Sequence, residues 1–289
     1  MVEYILGNYL VETGKITKEQ LAQTLAKQDS VRVKLGLIAV AEGMMTLEQT
    51  NEVNRLQALM DQRFGDIAVQ KGYLTDEQVG KLLKKQGNAY LSFIQSLVDN
   101  EYLDMEDVDL VINSFRLVNG YSNSEMDALK SDEAERIVPL FIPDGGKQFV
   151  EIVSTAVKAF IRLIDRHIYI GKAEIVDTFP SKDMFSQSLQ GDNGLLVCLS
   201  EGNGALLQVC SVYGQEDFGQ LDLDSLDAAG ELLNCINGLY ASNLSRDGQF
   251  LELMPPEYED VTTKAKAEIC KVPVFIGDKK LYFTVAELA

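Results

Sequence analysis

The sequence predicts a multidomain protein in which an all-α repeat domain is followed by an α+β domain. A pattern with a period of about 29 residues fills the first third of the chain. Runs with helical periodicity, short apolar strands and a closing pair of β-rich segments fill the second half. We therefore expect an all-helical domain over residues 1–116, a connector over 117–147 and an α+β domain over 148–289.

Composition and charge exclude several classes of function. The 289 residues carry a formal net charge of −18, which argues against binding to nucleic acid or to an anionic membrane surface. The first ten residues lack a basic start, and no apolar run is long enough to span a bilayer. We therefore expect a cytoplasmic protein without membrane insertion.

Cysteine and histidine usage narrows the chemistry further. The four cysteines form no C-x-x-C pair, which is typical of reduced core thiols. The single histidine, His167, excludes a histidine-rich metal site, and we predict no metal site in this chain.

The repeat in the first third has three clear copies and a degraded fourth one. The first copy carries the shared residues Gly7, Val11, Gly14, Thr17, Gln20 and Gln28, and the same residue types recur from Gly36 and from Gly65. Gly14 suits the left-handed position that ends a helix, and Thr17 with Gln20 has the spacing of a capping box. Each copy is therefore a helix pair. We expect four pairs to pack together, because one pair alone buries little surface.

The stretch from Asp227 to Gly238 predicts a mostly buried helix with one narrow polar stripe. At 3.6 residues per turn, Asp227, Glu231 and Asn234 lie on this stripe, and the other faces are apolar. A carboxylate beside an amide can hold a partner and place a water molecule. The stripe is either the solvated face of a buried helix or a functional site, and spacing alone leaves both interpretations open.

The remaining elements follow from local patterns. Apolar spacing predicts a helix over 149–164, a buried strand over 195–199 and a helix over 205–213. Residues 267–276 and 279–288 read as a β-hairpin around Gly277-Asp278, and a charged helix is expected over 125–136.

The polar stripe also carries a family resemblance. The pattern D-x-x-x-E-x-x-N at Asp227, Glu231 and Asn234, followed by Pro255-Pro256, resembles the signature of the CheC/CheX/FliY chemotaxis phosphatases. The order of elements over 148–289 is similar to that of CheX. This resemblance implies a phosphatase that acts on the aspartyl phosphate of a response-regulator receiver domain.

The same resemblance assigns roles to the residues of the stripe. Asn234 would orient the attacking water, Glu231 would pair with a lysine of the receiver, and Asp227 would support the site mainly as a helix-start residue. The Mg²⁺ ion would be supplied by the receiver, so no cofactor is expected on this chain. A homodimer is implied as well.

The repeats resemble the N-terminal domain of type II secretion and type IV pilus ATPases, the GspE/MshE family. Some members bind cyclic di-GMP on tandem motifs, whose heads would here be Lys34, Leu35 and Gly36 in one copy and Arg63, Phe64 and Gly65 in the next. The first copy has Ile5 at the position of the head cation. No phosphate-binding G-x-x-x-x-G-K-[ST] loop occurs in the chain. Alternatively, these residues serve only in packing and capping.

Three hypotheses follow. The first is a CheX-like phosphatase that the N-terminal repeats localise or regulate. The second is a non-catalytic signalling module, in which the repeats bind cyclic di-GMP or a protein and the second domain is a dimeric platform. The third is a scaffold without either activity.

Overall fold

The computed structural model of the protein describes residues 1–179, 183–258, 265 and 268–289. Within these residues the chain forms two compact units, Val2–Asp132 and Glu133–Ala289. The boundary between them falls inside the stretch 117–147 that the sequence predicts to be a connector.

The first unit is built from helices joined by short turns. Its α-helices are α1 (Val2–Glu12), α2 (Lys18–Lys27), α3 (Leu35–Ala41), α4 (Leu47–Met60), α5 (Phe64–Gln70), α6 (Asp76–Lys84), α7 (Ala89–Asp99), α8 (Met105–Val118) and α9 (Asn123–Lys130). Helices α1 to α8 form consecutive pairs, and each pair occupies one copy of the repeat.

The predicted caps of the repeat are confirmed. Thr17 accepts a hydrogen bond from the backbone N–H of Gln20, whose side chain accepts one from the backbone N–H of Thr17 in return. The same capping box recurs at Thr46 and at Thr75. Gly14 and its equivalents in the next two copies have φ between 64° and 74°, a backbone conformation that glycine adopts without strain.

The first glycine of each repeat brings the two helices of a pair close together. A Cβ atom added at Gly36 would lie only 2.6 Å from Cγ2 of Thr50 on the following helix. A Cβ atom added at Gly7 would overlap Cδ1 of Leu21, and one added at Gly65 would lie 3.0 Å from Cγ1 of Val79. These contact residues recur at the period of the repeat, so the absence of a side chain at this glycine allows the same close approach in all three clear copies.

The second unit combines helices with an antiparallel sheet. Its elements are α10 (Ala134–Ile137), α11 (Val150–Leu163), β1 (Tyr169–Ile170), β2 (Glu174–Val176), β3 (Met184–Gly191), β4 (Leu195–Glu201), α12 (Ala205–Gly214), α13 (Leu223–Arg246), β5 (Leu251–Leu253), β6 (Ile269–Ile276) and β7 (Lys279–Glu287). The predicted helices over 149–164 and 205–213, the strand over 195–199 and the closing hairpin are confirmed. Residue 267, the first of the predicted hairpin, lies outside the described residues.

The strand order is β1-β6-β7-β4-β3-β5, with β2 also paired to β6, and the pairs are antiparallel. Helix α13 packs against α11 and α12 and against strands β3 and β5. Alternate strand residues such as Phe185 and Phe283 are fully buried and contribute to the core. Burial of such large apolar side chains supplies most of the stabilisation of a unit of this kind.

The predicted helix over 125–136 is wrong as a single helix. Helix α9 ends at Lys130 and α10 begins at Ala134. Between them Asp132 has a left-handed φ of 61°, which a continuous α-helix does not accommodate. Neither glycine nor proline lies between Lys130 and Ala134, so no strong helix breaker marks this turn in the sequence.

Candidate functional site

The polar stripe lies on α13, which begins earlier than its polar pattern suggested. Asp222 is the N-cap residue, and its side chain accepts a hydrogen bond from the backbone N–H of Ser225. This contact lowers the pKa of the Asp222 carboxyl. The prediction that Asp227 is a helix-start residue is wrong, because Asp227 lies in the second turn of the helix.

The two sides of α13 differ sharply in burial. Ala229, Leu233 and Ile236 are fully buried in the unit. Asp227, Glu231 and Asn234 are exposed. The apolar faces hold the helix in the fold, and the three polar side chains lie at the surface, where another molecule can reach them.

A cleft of about 300 Å³ runs beside the stripe. It joins the helix to the segment after β5, so the residue pair Pro255-Pro256 faces the E-x-x-N motif across it. Its lining residues are Gln187, Asp227, Gly230, Glu231, Asn234, Leu253, Met254, Pro255 and Pro256. The structure thus brings together the helix motif and the two prolines that are distant from it in sequence.

Sequence reasoning missed Gln187, which lies under this cleft. Gln187 is 2% exposed, and its Nε2 donates to Oδ1 of Asn234 at 2.9 Å and to the backbone oxygen of Met254 at 2.9 Å. Its Oε1 accepts from Nδ2 of Asn237 at 2.8 Å. A signal existed in the sequence, because Gln187 shares one face of β3 with the buried apolar residues Phe185 and Leu189.

Tyr258 is a second residue that sequence reasoning missed. Its hydroxyl donates to Oδ1 of Asp227 at 3.4 Å. Partial burial, followed by the negative charges of Asp227 and Glu231, raises the pKa of the Tyr258 phenol. The phenol therefore stays a hydrogen-bond donor, and at this distance its contact with Asp227 is a weak one. No short-range sequence pattern links these two residues.

A wider groove of about 610 Å³ adjoins the cleft through Asp227. Its lining combines acidic side chains with Phe218, Leu223 and Tyr258. The acidic members are Glu216, Asp222, Asp224 and Asp227. The surface next to the stripe is consequently negative.

The six residues predicted as heads of the tandem motifs lie together in the first unit. Lys34, Leu35, Gly36, Arg63, Phe64 and Gly65 line one cleft of about 910 Å³. Arg32 adds a third cation to this lining, and Asp66 adds a carboxylate. The Nζ atom of Lys34 is 2.7 Å from Oδ1 of Asp99, so this lysine is held by an ion pair.

The part of the chain that the structure describes holds neither a membrane-spanning helix nor a metal-binding cluster. No helix there is both long and apolar enough to cross a membrane. No group of three or more His, Cys, Asp or Glu side chains in the same part of the chain is arranged to hold a metal ion.

Comparison with known proteins gives structural matches for the second half of the chain. No protein-family model and no curated protein matches it. A chemotaxis protein CheX from Desulfovibrio desulfuricans is similar at 15% identity and a TM-score of 0.41, covering 50% of this chain and 99% of that one. A CheC-like superfamily protein from Shewanella sp. PV-4 is similar at 14% identity and a TM-score of 0.42, covering 50% and 98%.

A third similar structure is a CheX–CheY–BeF3–Mg²⁺ complex from Borrelia burgdorferi. Its identity is 17% and its TM-score 0.40, and the match covers 48% of this chain and 95% of that one. The resemblance of residues 1–116 to secretion ATPase domains stays a prediction.

Proposed function

We propose that this protein accelerates hydrolysis of the aspartyl phosphate of a receiver domain, with Asn234 and Glu231 as the catalytic residues. The observation that carries the proposal is an exposed carboxylate and an exposed amide, one turn apart on α13, at the mouth of a cleft. This pair can dock a partner and hold a water molecule. Neither a nucleophile nor a metal of its own is required, because placing the water in line with phosphorus is itself catalysis.

The reaction assigns one task to Asn234. The oxygen of the bound water forms a bond to phosphorus, and the bond from phosphorus to the carboxylate oxygen of the partner breaks. The products are the free aspartate and inorganic phosphate, and the water proton passes to the phosphate or to solvent. Asn234 holds the water on the axis of attack, while the Mg²⁺ ion of the partner offsets the negative charge on the phosphoryl group.

Glu231 and Asp227 serve docking in this proposal. The exposed carboxylate of Glu231 suits an ammonium group on the partner, and such a charge-assisted contact fixes the register of the helix on the receiver. Asp227 lies one turn earlier and is contacted by the Tyr258 hydroxyl. It extends the acidic side of the docking surface.

The test is the lifetime of phosphate on purified receiver domains from the same genome, with and without the protein. We expect faster loss of phosphate from one receiver, and at least a 100-fold decrease in that acceleration with Asn234→Ala. Binding of the receiver should survive, since the truncation leaves Glu231 and the cleft walls intact.

Asn243→Ala is the matched control, because Asn243 lies on the same helix but does not line the cleft. It should keep the wild-type rate. An Asn234→Ala protein that dephosphorylates the receiver normally would show that the site is assigned wrongly. If no receiver loses phosphate faster, the non-catalytic platform becomes the better hypothesis, and its homodimer can be tested by light scattering.

A second function is favoured by the cleft in the first unit. We propose that it binds cyclic di-GMP, because its lining combines Arg32, Lys34 and Arg63 with the ring of Phe64 in a chain of net charge −18. Guanidinium groups pair with phosphate and stack on guanine, and an aromatic ring offers a further apolar contact.

Calorimetric titration of the full chain with cyclic di-GMP tests this second function. Arg63→Ala should weaken binding about tenfold or more, the effect expected for loss of a charge-assisted contact. Arg55→Ala, an exposed arginine of α4 outside the cleft, should leave the affinity unchanged. Absence of heat for the wild-type protein would favour the packing interpretation of the repeat.

A further inference from the structure

The hydrogen bonds beneath the cleft define which end of the Asn234 amide faces a bound molecule. The backbone oxygen of Met254 can only accept, so the group of Gln187 that contacts it must be Nε2. The opposite end of the Gln187 amide is then the oxygen, and Asn237 must donate to it. The second hydrogen of Gln187 Nε2 remains for Asn234, which accepts it through Oδ1.

Burial makes this arrangement costly to reverse. Gln187 is 2% exposed and Asn237 is fully buried, so neither amide can exchange its partners for water. Across the sheet Gln187 lies in a row with Val197, Val285 and Cys270, which offer no alternative side-chain hydrogen bond of comparable strength. Rotating the Gln187 amide by half a turn would place oxygen against the oxygen of Met254.

We infer that Gln187 is a positioning residue, which holds the Asn234 amide so that its Nδ2 hydrogens face the cleft. This inference rests on the phosphatase proposal and assigns which end of the Asn234 amide contacts a bound molecule in that site. A water in the cleft is then bound through one of its own lone pairs by Asn234. Its second lone pair is free for phosphorus, and its hydrogens point to acceptors that the partner must supply, such as phosphoryl or carboxylate oxygens.

Gln187→Met is the discriminating variant, because methionine keeps the length of the side chain and removes both hydrogen-bonding ends. We expect kcat for receiver dephosphorylation to fall about tenfold, since the Asn234 amide then rotates freely. The Kd for the receiver loaded with beryllofluoride and Mg²⁺ should stay within about twofold, because Gln187 is buried under the docking surface.

Leu189→Ala controls for a loss of stability alone. Leu189 lies on the same face of the same strand, is fully buried and carries no polar side-chain atom that could bind Asn234. Both variants are assayed well below their melting midpoints. If Leu189→Ala lowers kcat as much as Gln187→Met does, the role of Gln187 is structural and the inference is overturned.

The orientation of the Asn234 amide can also be measured without any partner. In ¹⁵N spectra of the full chain, we expect the side-chain NH2 of Gln187 to be protected from exchange with water and that of Asn234 to exchange fast. A protected Asn234 NH2 group would contradict the inference.

The outcomes separate the inference from the proposed function. An active Asn234→Ala protein removes the function itself. An inactive Asn234→Ala protein together with a fully active Gln187→Met protein removes only the positioning role.

Discussion

At the scale of single residues, the buried thiols illustrate how burial controls chemistry. Cys210 and Cys270 are fully buried, and desolvation raises the pKa of each thiol to about 11. Cys198 is also buried, and its thiol pKa is raised for the same reason. Only thiolates react readily, so these three are inert near neutral pH. Cys235 on α13 is half-buried.

We expect one thiol per native chain, that of Cys235, to react with a disulfide reagent at pH 8, and all four to react after unfolding. Cys235→Ser should abolish the native reaction. Rapid reaction of a further thiol in the folded Cys235→Ser protein would contradict the buried positions of the other three.

The same shifts predict how stability changes in alkali. Burial raises the pKa values of Cys210 and Cys270 to about 11 in the folded state. The two thiols therefore contribute their full stabilisation at pH values below the pKa of a thiol in the unfolded chain, and this stabilisation is lost as the pH rises towards about 11. The free energy of unfolding should therefore fall above pH ~9. A Cys210→Ala/Cys270→Ala variant should show a shallower fall in urea titrations at pH 8 and pH 10. Equal slopes for the two proteins would refute this assignment.

At the scale of elements, the close packing within a helix pair predicts opposite changes in stability when two different glycines are replaced by alanine. Gly36→Ala should destabilise the protein by about 1–3 kcal/mol, because the new methyl group overlaps Thr50, a β-branched side chain with little freedom to move. Gly80→Ala in α6 meets nothing within 4 Å and should stabilise the protein by about 0.5–1 kcal/mol. Denaturant unfolding of both variants measures the difference. Similar values for the two would mean that the glycines of the repeat are not packing residues.

Structural features that depend on residues close together in the sequence could be predicted from the sequence. The capping boxes at Thr17, Thr46 and Thr75 depend on residues three positions apart, and the hairpin turn depends on Gly277-Asp278. The break near Asp132 could not be predicted, because neither glycine nor proline marks it in the polar run from Lys130 to Glu133.

The candidate site was predictable only in part, because some of its residues are far apart in the sequence. Helical spacing identified Asp227, Glu231 and Asn234. Gln187 and Tyr258 are distant from them in sequence and meet them only through the order of the strands. That order depends on pairing between residues far apart, which a single sequence does not reveal.

At the scale of the whole molecule, the chain combines two kinds of surface in separate units. The cleft of the helical unit contains three cations, whereas the surface beside α13 is acidic. The overall charge of −18 therefore does not describe the cleft of the helical unit. Binding of an anionic ligand at the first cleft should weaken with salt, since its cations are exposed to screening.

The main-chain contact of Gln187 has a consequence for mutational tolerance. Any residue at position 254 supplies the same carbonyl oxygen, whereas only a side-chain amide of the right length at position 187 can join it to Asn234. Selection on the site should therefore be lenient at Met254 and strict at Gln187, although Met254 lines the cleft and Gln187 is almost hidden from solvent.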